Sequence, residues 1–298
     1  MSLAELQALR EMLARRPPID IPITQRREQF EALAARFPLP DDLRVERVEF
    51  GRNGLSGAWV RTPAARPDRV ILYLHGGAFS VGSSTSYREL AGRLGRAAEA
   101  SVFLPDFRLA PEHPLPAAHD DAFDAYCHLL DVGYDPSRLV VAGDSSGANL
   151  AVSAVMQART AGLLMPAAIG TISAYLDLTN SRPSIRERDA IDPFIDASKM
   201  NGTVAFVAPG RDPRDPRLSP LFADLAGLPP ILLLVGEAEV LHDDSVDFAA
   251  AARAEGVDAQ VEVWPQMVHV WPFFGPMLEE GRTATVRLGA FLKAKMRR

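Results

Sequence analysis

The sequence predicts an α/β protein: a mostly parallel sheet covered by helices on both faces. Three observations carry this. Short apolar runs alternate with helical stretches from about residue 70 to the C-terminus. The 298 residues are long enough for one large α/β domain with an accessory segment. The balance of 47% hydrophobic and 23% charged residues is that of a globular chain with a sizeable core.

The elements come in this order. Leu3, Leu6, Leu9 and Leu13 recur at helical spacing and stop at Pro17-Pro18, and Phe30, Leu33 and Phe37 repeat the pattern before Pro38. These two helical segments alternate with no strand, so residues 1–42 form an appendage that docks onto the rest. R-V-E-R-V-E-F and L-S-G-A-W-V, separated by Gly51 to Gly54, read as an antiparallel pair at a sheet edge. V-I-L-Y-L then precedes a helix near 86–98, S-V-F-L-P one near 118–131 and L-V-V-A-G one from Ser146. A-I-G-T-I-S ends near 173; I-L-L-L-V precedes a helix near 244–255, and A-Q-V-E-V-W the C-terminal one. Between these last runs the alternation breaks. Residues 175–218, with D-L-T-N-S-R-P-S and P-G-R-D-P-R-D-P-R-L-S-P, hold no clear strand and read as an insertion above the sheet within a main domain of residues 43–298.

Composition excludes several classes. Acid and base are interspersed, the formal net charge is −6, and no basic tract or aromatic-interleaved stripe suits nucleic acid. The apolar runs are far too short to span a bilayer, so no stable membrane association is expected. The acidic, helix-patterned N-terminus is not a secretory signal, and Cys127 is the only cysteine. A reducing cytoplasm is the expected compartment. Cys127 sits in a helical stretch and reads as a packed thiol.

In parallel sheets ligands sit beyond the carboxyl ends of the strands. The residues just after each apolar run are therefore informative. His75-Gly76-Gly77-Ala78-Phe79 comes after the first, and G-D-S-S-G at 143–147 after the third. Glu237, Glu239, Asp243 and Asp244 come after I-L-L-L-V, and His269 after A-Q-V-E-V-W. G-D-S-S-G fits the G-x-S-x-G nucleophile elbow, with Ser145 between Gly143 and Gly147 at the required spacing. Ser146 then opens the helix and offers its backbone N–H to a developing oxyanion, while Gly76 and Gly77 supply further amides free of side chains. His75 reads as scaffold for that loop. His113, His119 and His128 precede the serine, and His242 adjoins the carboxylates; His269 alone comes after the last strand and is the candidate base. Among the carboxylates, Asp243 and Asp244 stand where a helix begins and read as N-caps, whereas Glu239 lies in the loop, free to reach the imidazole. Whether Asp243 can replace Glu239 stays open.

With these motifs in place, the chain resembles the bacterial hormone-sensitive-lipase-like (family IV) carboxylesterases of the α/β-hydrolase fold. The resemblance runs from about residue 68 to the C-terminus. It rests on H-G-G-A-F at 75–79, D-F-R-L-A-P-E-H-P-L-P-A-A at 106–118 and G-D-S-S-G-A-N-L at 143–150, then on D-P-R-L-S-P-L-F-A-D-L-A-G-L-P-P at 215–230 and M-V-H-V-W at 267–271. It implies an eight-stranded, mostly parallel sheet with a helical cap built from residues 1–42 and the insertion at about 175–218. It also implies Ser145, Glu239 and His269 as catalytic residues, and Gly76, Gly77 and Ser146 as oxyanion hole. Two departures stand out. The family usually has Asp-Pro-Leu at the acid where this chain has Glu239-Val240-Leu241, and Ser-Ala-Gly-Gly at the elbow where this chain has Ser-Ser-Gly-Ala.

The implied function is hydrolysis of small to medium acyl esters through an acyl-enzyme, with a small-molecule ester as partner and no cofactor or metal. Phe79, Tyr87, Trp271, Phe273 and Phe274 are candidates to shape the substrate pocket or to pack in the core. An amide hydrolase or acyltransferase would use the same residues, and a non-catalytic small-molecule receptor of the same fold is the alternative of a different class. The oligomeric state, including a homodimer, stays open.

Overall fold

The computed structural model of the chain describes residues 2–15, 21–51 and 54–297, so Pro17 and Pro18, and Arg52 and Asn53 of the first link, lie outside the described residues. Two helices open the chain, α1 (Leu3–Ala14) and α2 (Ile23–Ala34), followed by the antiparallel pair β1 (Arg44–Phe50) and β2 (Leu55–Arg61). The alternation then runs β3 (Arg66–Leu74), α3 (Arg88–Ala98), β4 (Ala100–Asp106), α4 (Ala117–Asp131), β5 (Leu139–Asp144), α5 (Ser146–Thr160) and β6 (Ala168–Ile172). Helices α6 (Pro183–Glu187) and α7 (Ala197–Val207) occupy the insertion. The chain closes with β7 (Ile231–Gly236), α8 (His242–Ala254), β8 (Ala259–Trp264) and α9 (Glu279–Lys295).

The eight strands lie in the order β1-β2-β4-β3-β5-β6-β7-β8. Pairing is antiparallel for β1–β2 and β2–β4 and parallel from β4 to β8, with β1 at one edge. Side chains alternate across the sheet with period two. In β3, Val70, Leu72 and Leu74 join one core and Ile71 and Tyr73 the other. The first core is shared with α4, α5 and α8, the second with α1, α3 and α9. Both faces of the parallel strands are thereby buried, which is why they read as continuous apolar runs.

The N-terminal appendage is more integral than its sequence suggests. Leu6, Leu9 and Leu13 are buried in the same core as Ile71, Tyr73 and Trp271, while Leu3, which shares their spacing, is 64% exposed. Burial of three leucines is worth several kcal/mol, so α1 is part of the core. Helix α2 packs Phe30 against Tyr87 and Phe273, and its Arg27 donates to the carbonyls of Ser80 and Ala110 at 2.9 Å each and pairs with Glu112.

No strand lies between Tyr175 and Leu218. Both ends of this segment meet at one side chain of α5: Asn149 Nδ2 donates to the carbonyls of Tyr175 (3.0 Å) and Leu218 (2.8 Å), and Asn149 Oδ1 lies 3.0 Å from His119 Nε2.

The N-cap reading of Asp243 and Asp244 is corrected. Leu241 is the N-cap of α8, and both aspartates lie in its first turn. Their carboxylates suit the positive end of the helix dipole there, but they turn outward to amides of the insertion. Asp244 Oδ2 accepts from Leu176 N (2.7 Å) and Asp177 N (2.9 Å), and Asp243 Oδ2 from Ser184 N (2.9 Å). Long-range amides with no other acceptor take precedence over the local cap.

Candidate active site

The register of the parallel strands brings the ends of β3, β5, β6 and β7 level: Leu74 pairs with Gly143, and Asp144 with Ile172. The loops beyond them therefore share one rim. Ser145 sits between β5 and α5 with φ 52° and ψ −123°, a conformation that costs a non-glycine residue about 1–3 kcal/mol. It persists because neighbours fix it: Ser145 N donates to Ile172 O (2.9 Å), and Ser145 O accepts from Tyr175 N (3.1 Å). A Cβ at Gly147 would overlap the Leu74 carbonyl, so the second glycine of the elbow is required by close approach to β3.

His269 Nε2 lies 3.0 Å from Ser145 Oγ, and its Nδ1 lies 3.0 Å from Glu239 Oε2. His269 is 3% and Glu239 0% exposed. The other carboxylate oxygen, Glu239 Oε1, accepts from Ser173 Oγ (2.7 Å) and Gly236 N (2.6 Å). Burial pushes the Glu239 carboxyl up, and the Ser173 and Gly236 donors pull it back toward the anion. The glutamate is thus seated rather than free in its loop. Ser173, which sequence reasoning did not single out, also accepts from Val270 N (2.9 Å) and so ties the acid to the histidine loop. Its signal was available: it is the first residue after the strand beside the elbow. Asp243 is turned away, its Oδ1 2.8 Å from His242 Nδ1.

At the glycine loop one expectation is corrected. Gly76 N donates to Asp144 Oδ1 (3.0 Å), so this amide is committed inside the protein. Asp144 is fully buried, also accepts from Tyr73 (2.9 Å) and Tyr87 (2.8 Å), and its pKa is raised by burial to about 6. Among the described residues, the amides of Gly77, Ala78 and Ser146 have no protein acceptor. Gly77 has φ +119°, and a Cβ there would overlap the Val81 carbonyl, so glycine is required. Ala78, not named from sequence, enters because the loop turns left-handed at Ala78 and Phe79. Ser146 contributes more than its amide: its buried hydroxyl accepts from Phe79 N (3.2 Å) and joins the glycine loop to the elbow.

The aromatic residues named as pocket candidates are packed inside. Phe79, Tyr87, Trp271 and Phe274 are at most 2% exposed. Phe79 stacks on His119, the Tyr87 hydroxyl is taken by Asp144, Trp271 donates to Glu280 O, and Phe274 packs edge-on against Phe273 and Phe37. They support the loops from beneath. The ring that approaches the imidazole is Phe194 of the insertion, 5.4 Å from His269 between centroids.

Comparison with known proteins agrees with this geometry. The family model described as "alpha/beta hydrolase fold" matches residues 71–273. An acetyl-hydrolase of Streptomyces hygroscopicus is 45% identical over 235 residues, 79% of this chain and 78% of that protein. The crystal structure of an esterase from the bacterial hormone-sensitive lipase family superposes with TM-score 0.95 at 38% identity, covering all of both chains. That of EstE5 soaked with p-nitrophenyl butyrate gives 0.93 at 40%, over 98% of each. With the elbow, the seated Glu239 and the family match together, the chain belongs to the α/β-hydrolase family, as an esterase of the bacterial hormone-sensitive-lipase type.

Proposed function

We propose that this carboxylesterase cleaves small to medium acyl esters with Ser145 as nucleophile, His269 as base and Glu239 as acid. The observation that carries the reading is the continuous path from Ser145 Oγ through both imidazole nitrogens to Glu239, with 3.0 Å at each step. Ser145 Oγ attacks the ester carbonyl as His269 Nε2 takes its proton. The oxyanion that forms is received by the amides of Gly77, Ala78 and Ser146, donors that cost no reorganisation because the fold already holds them. Collapse expels the alcohol, which takes the proton back from His269, and water repeats the sequence on the acyl-enzyme. Glu239 holds the proton of Nδ1 and stabilises the imidazolium in both halves. Within residues 1–42, α2 joins the 175–218 insertion as the cap over the acyl and alcohol pockets while α1 anchors it in the core, and the enzyme works in the cytoplasm. Stoichiometric labelling by a fluorophosphonate, with turnover of p-nitrophenyl esters of graded acyl length, tests the reading. A folded protein that binds such esters but neither labels nor turns over is the receptor alternative.

Two further outcomes are expected. Ser146→Ala keeps the backbone donor but leaves Phe79 N without its acceptor, at a cost of about 1–3 kcal/mol in stability, while kcat stays within about tenfold. A dead Ser146→Ala beside an active Ser145→Ala would overturn the elbow register. Arg27→Ala releases α2 from the Ser80 and Ala110 carbonyls. It should lower Tm by about 2–4 °C and alter the acyl-length profile, whereas a lower Tm with an unchanged profile removes α2 from the cap.

A further inference from the structure

The insertion carries two buried carboxylates that the triad does not include. Asp177 pairs with Arg182, whereas among the described residues Asp192 has only backbone amides as hydrogen-bond donors. Asp192 is 7% exposed and saturated with backbone donors. Oδ1 accepts from Phe194 N (2.7 Å) and Ile195 N (3.2 Å), shaping the turn that presents the Phe194 ring to His269. Oδ2 accepts from Val240 N (3.0 Å), the amide next to Glu239. A single side chain thus joins the insertion to the loop that bears the acid. Neighbouring contacts close the same seam. Arg188 donates to the Glu237 carbonyl, and Arg10 of α1 donates both to Ile191 O (3.2 Å) and to Gln266 O (3.0 Å) of the histidine loop.

We propose that Asp192 is a positioning residue of the hydrolysis, holding the Glu239–Val240 turn in register and laying Phe194 against His269, so that the acid–base pair is complete only with the insertion seated. The proposal rests on the triad reading above. The seam also bears on charge. Groups facing Asp192 are His269 and Glu239, and those acting on His269 include Glu239, Asp192 and Asp144; His242 and Arg188 act on Glu239. An anion at Asp192 favours the imidazolium that forms in each half-reaction, and the Phe194 ring keeps water from competing for it.

The test is Asp192→Asn, which keeps the size, removes the charge and turns an NH₂ toward one of the amides that the carboxylate accepts from. With the folded variant, kcat on a p-nitrophenyl ester should fall about tenfold while KM stays within about twofold. The sign of the pH effect is set by the lost anion: His269 gives up its proton at lower pH, so the acid limb of kcat/KM moves down by about half a unit. Wild-type kcat and an unmoved limb overturn the proposal, and so does a loss of kcat with the limb unmoved, which is what mere packing would give. If the variant does not fold, Phe194→Ala decides. It leaves the Asp192 hydrogen bonds intact and should lower kcat several-fold and speed exchange of the His269 Nδ1 proton in NMR; no change in either overturns the proposal. Fluorophosphonate labelling of the wild type separates the two levels. An unlabelled wild type removes the hydrolase reading, whereas a labelled wild type with an indifferent Asp192→Asn removes this proposal alone.

Discussion

Ser145→Ala is expected to lower kcat by about 10⁶ and to abolish fluorophosphonate labelling, with Tm little changed. In the proposed mechanism Ser145 Oγ is the protein atom that bonds to substrate, so neither oxyanion donors nor the imidazole compensate for it. Ser146 is no substitute, because its hydroxyl is buried and already accepts from Phe79 N. Alanine suits the elbow as well as serine does, since the backbone there is fixed by Ile172 O and Tyr175 N. Circular dichroism and substrate binding should therefore remain near wild type while turnover disappears. Residual labelling at stoichiometric level in Ser145→Ala would move the nucleophile elsewhere.

Glu239→Gln has the second-largest expected effect, a loss of about 10⁴ in kcat, the size seen when a buried triad acid becomes its amide. A flexible acid loop would soften this loss, but the loop is not flexible in the relevant sense. Oε1 is held by Ser173 and Gly236, both donors, so a glutamine must place its oxygen there. Its NH₂ then faces His269 Nδ1, and two donors meet unless the imidazole takes the wrong tautomer. Asp243 does not step in, being engaged with His242 and Ser184 N. Asp243→Asn should accordingly cost about 1 kcal/mol of stability and less than tenfold in kcat. If Asp243→Asn is dead in a folded protein while Glu239→Gln still turns over, the acid assignment passes to Asp243.

The parts of the site legible in the sequence were those written in local spacing. Two glycines around a serine after an apolar run define an elbow because the steric demand arises within five residues. His269 was legible by position, as the one histidine after the last strand. The hidden parts depended on partners distant in sequence. Gly76 looked like a free donor because nothing near it announces Asp144, 68 residues on. Asp243 and Asp244 looked like caps because the local rule is strong, yet the amides that claim them lie in the insertion. Residues 188–195 carry no helical or strand period, so Asp192 and Phe194 gave no signal until folding set them beside the acid and the imidazole.

The shared anchorage of the insertion at Asn149 bears on how substrate range can change. Because Tyr175 and Leu218 dock on the same carboxamide of α5, the two ends of the segment are held side by side. The stretch through Asp192 is stitched to the acid loop, whereas α7 (Ala197–Val207) follows that stretch and buries Met200 and Val207 in the core. Transplanting the exposed face of that helix from a relative, with Asn149, Met200, Val207 and residues 188–195 retained, should redirect selectivity while turnover of a short ester persists.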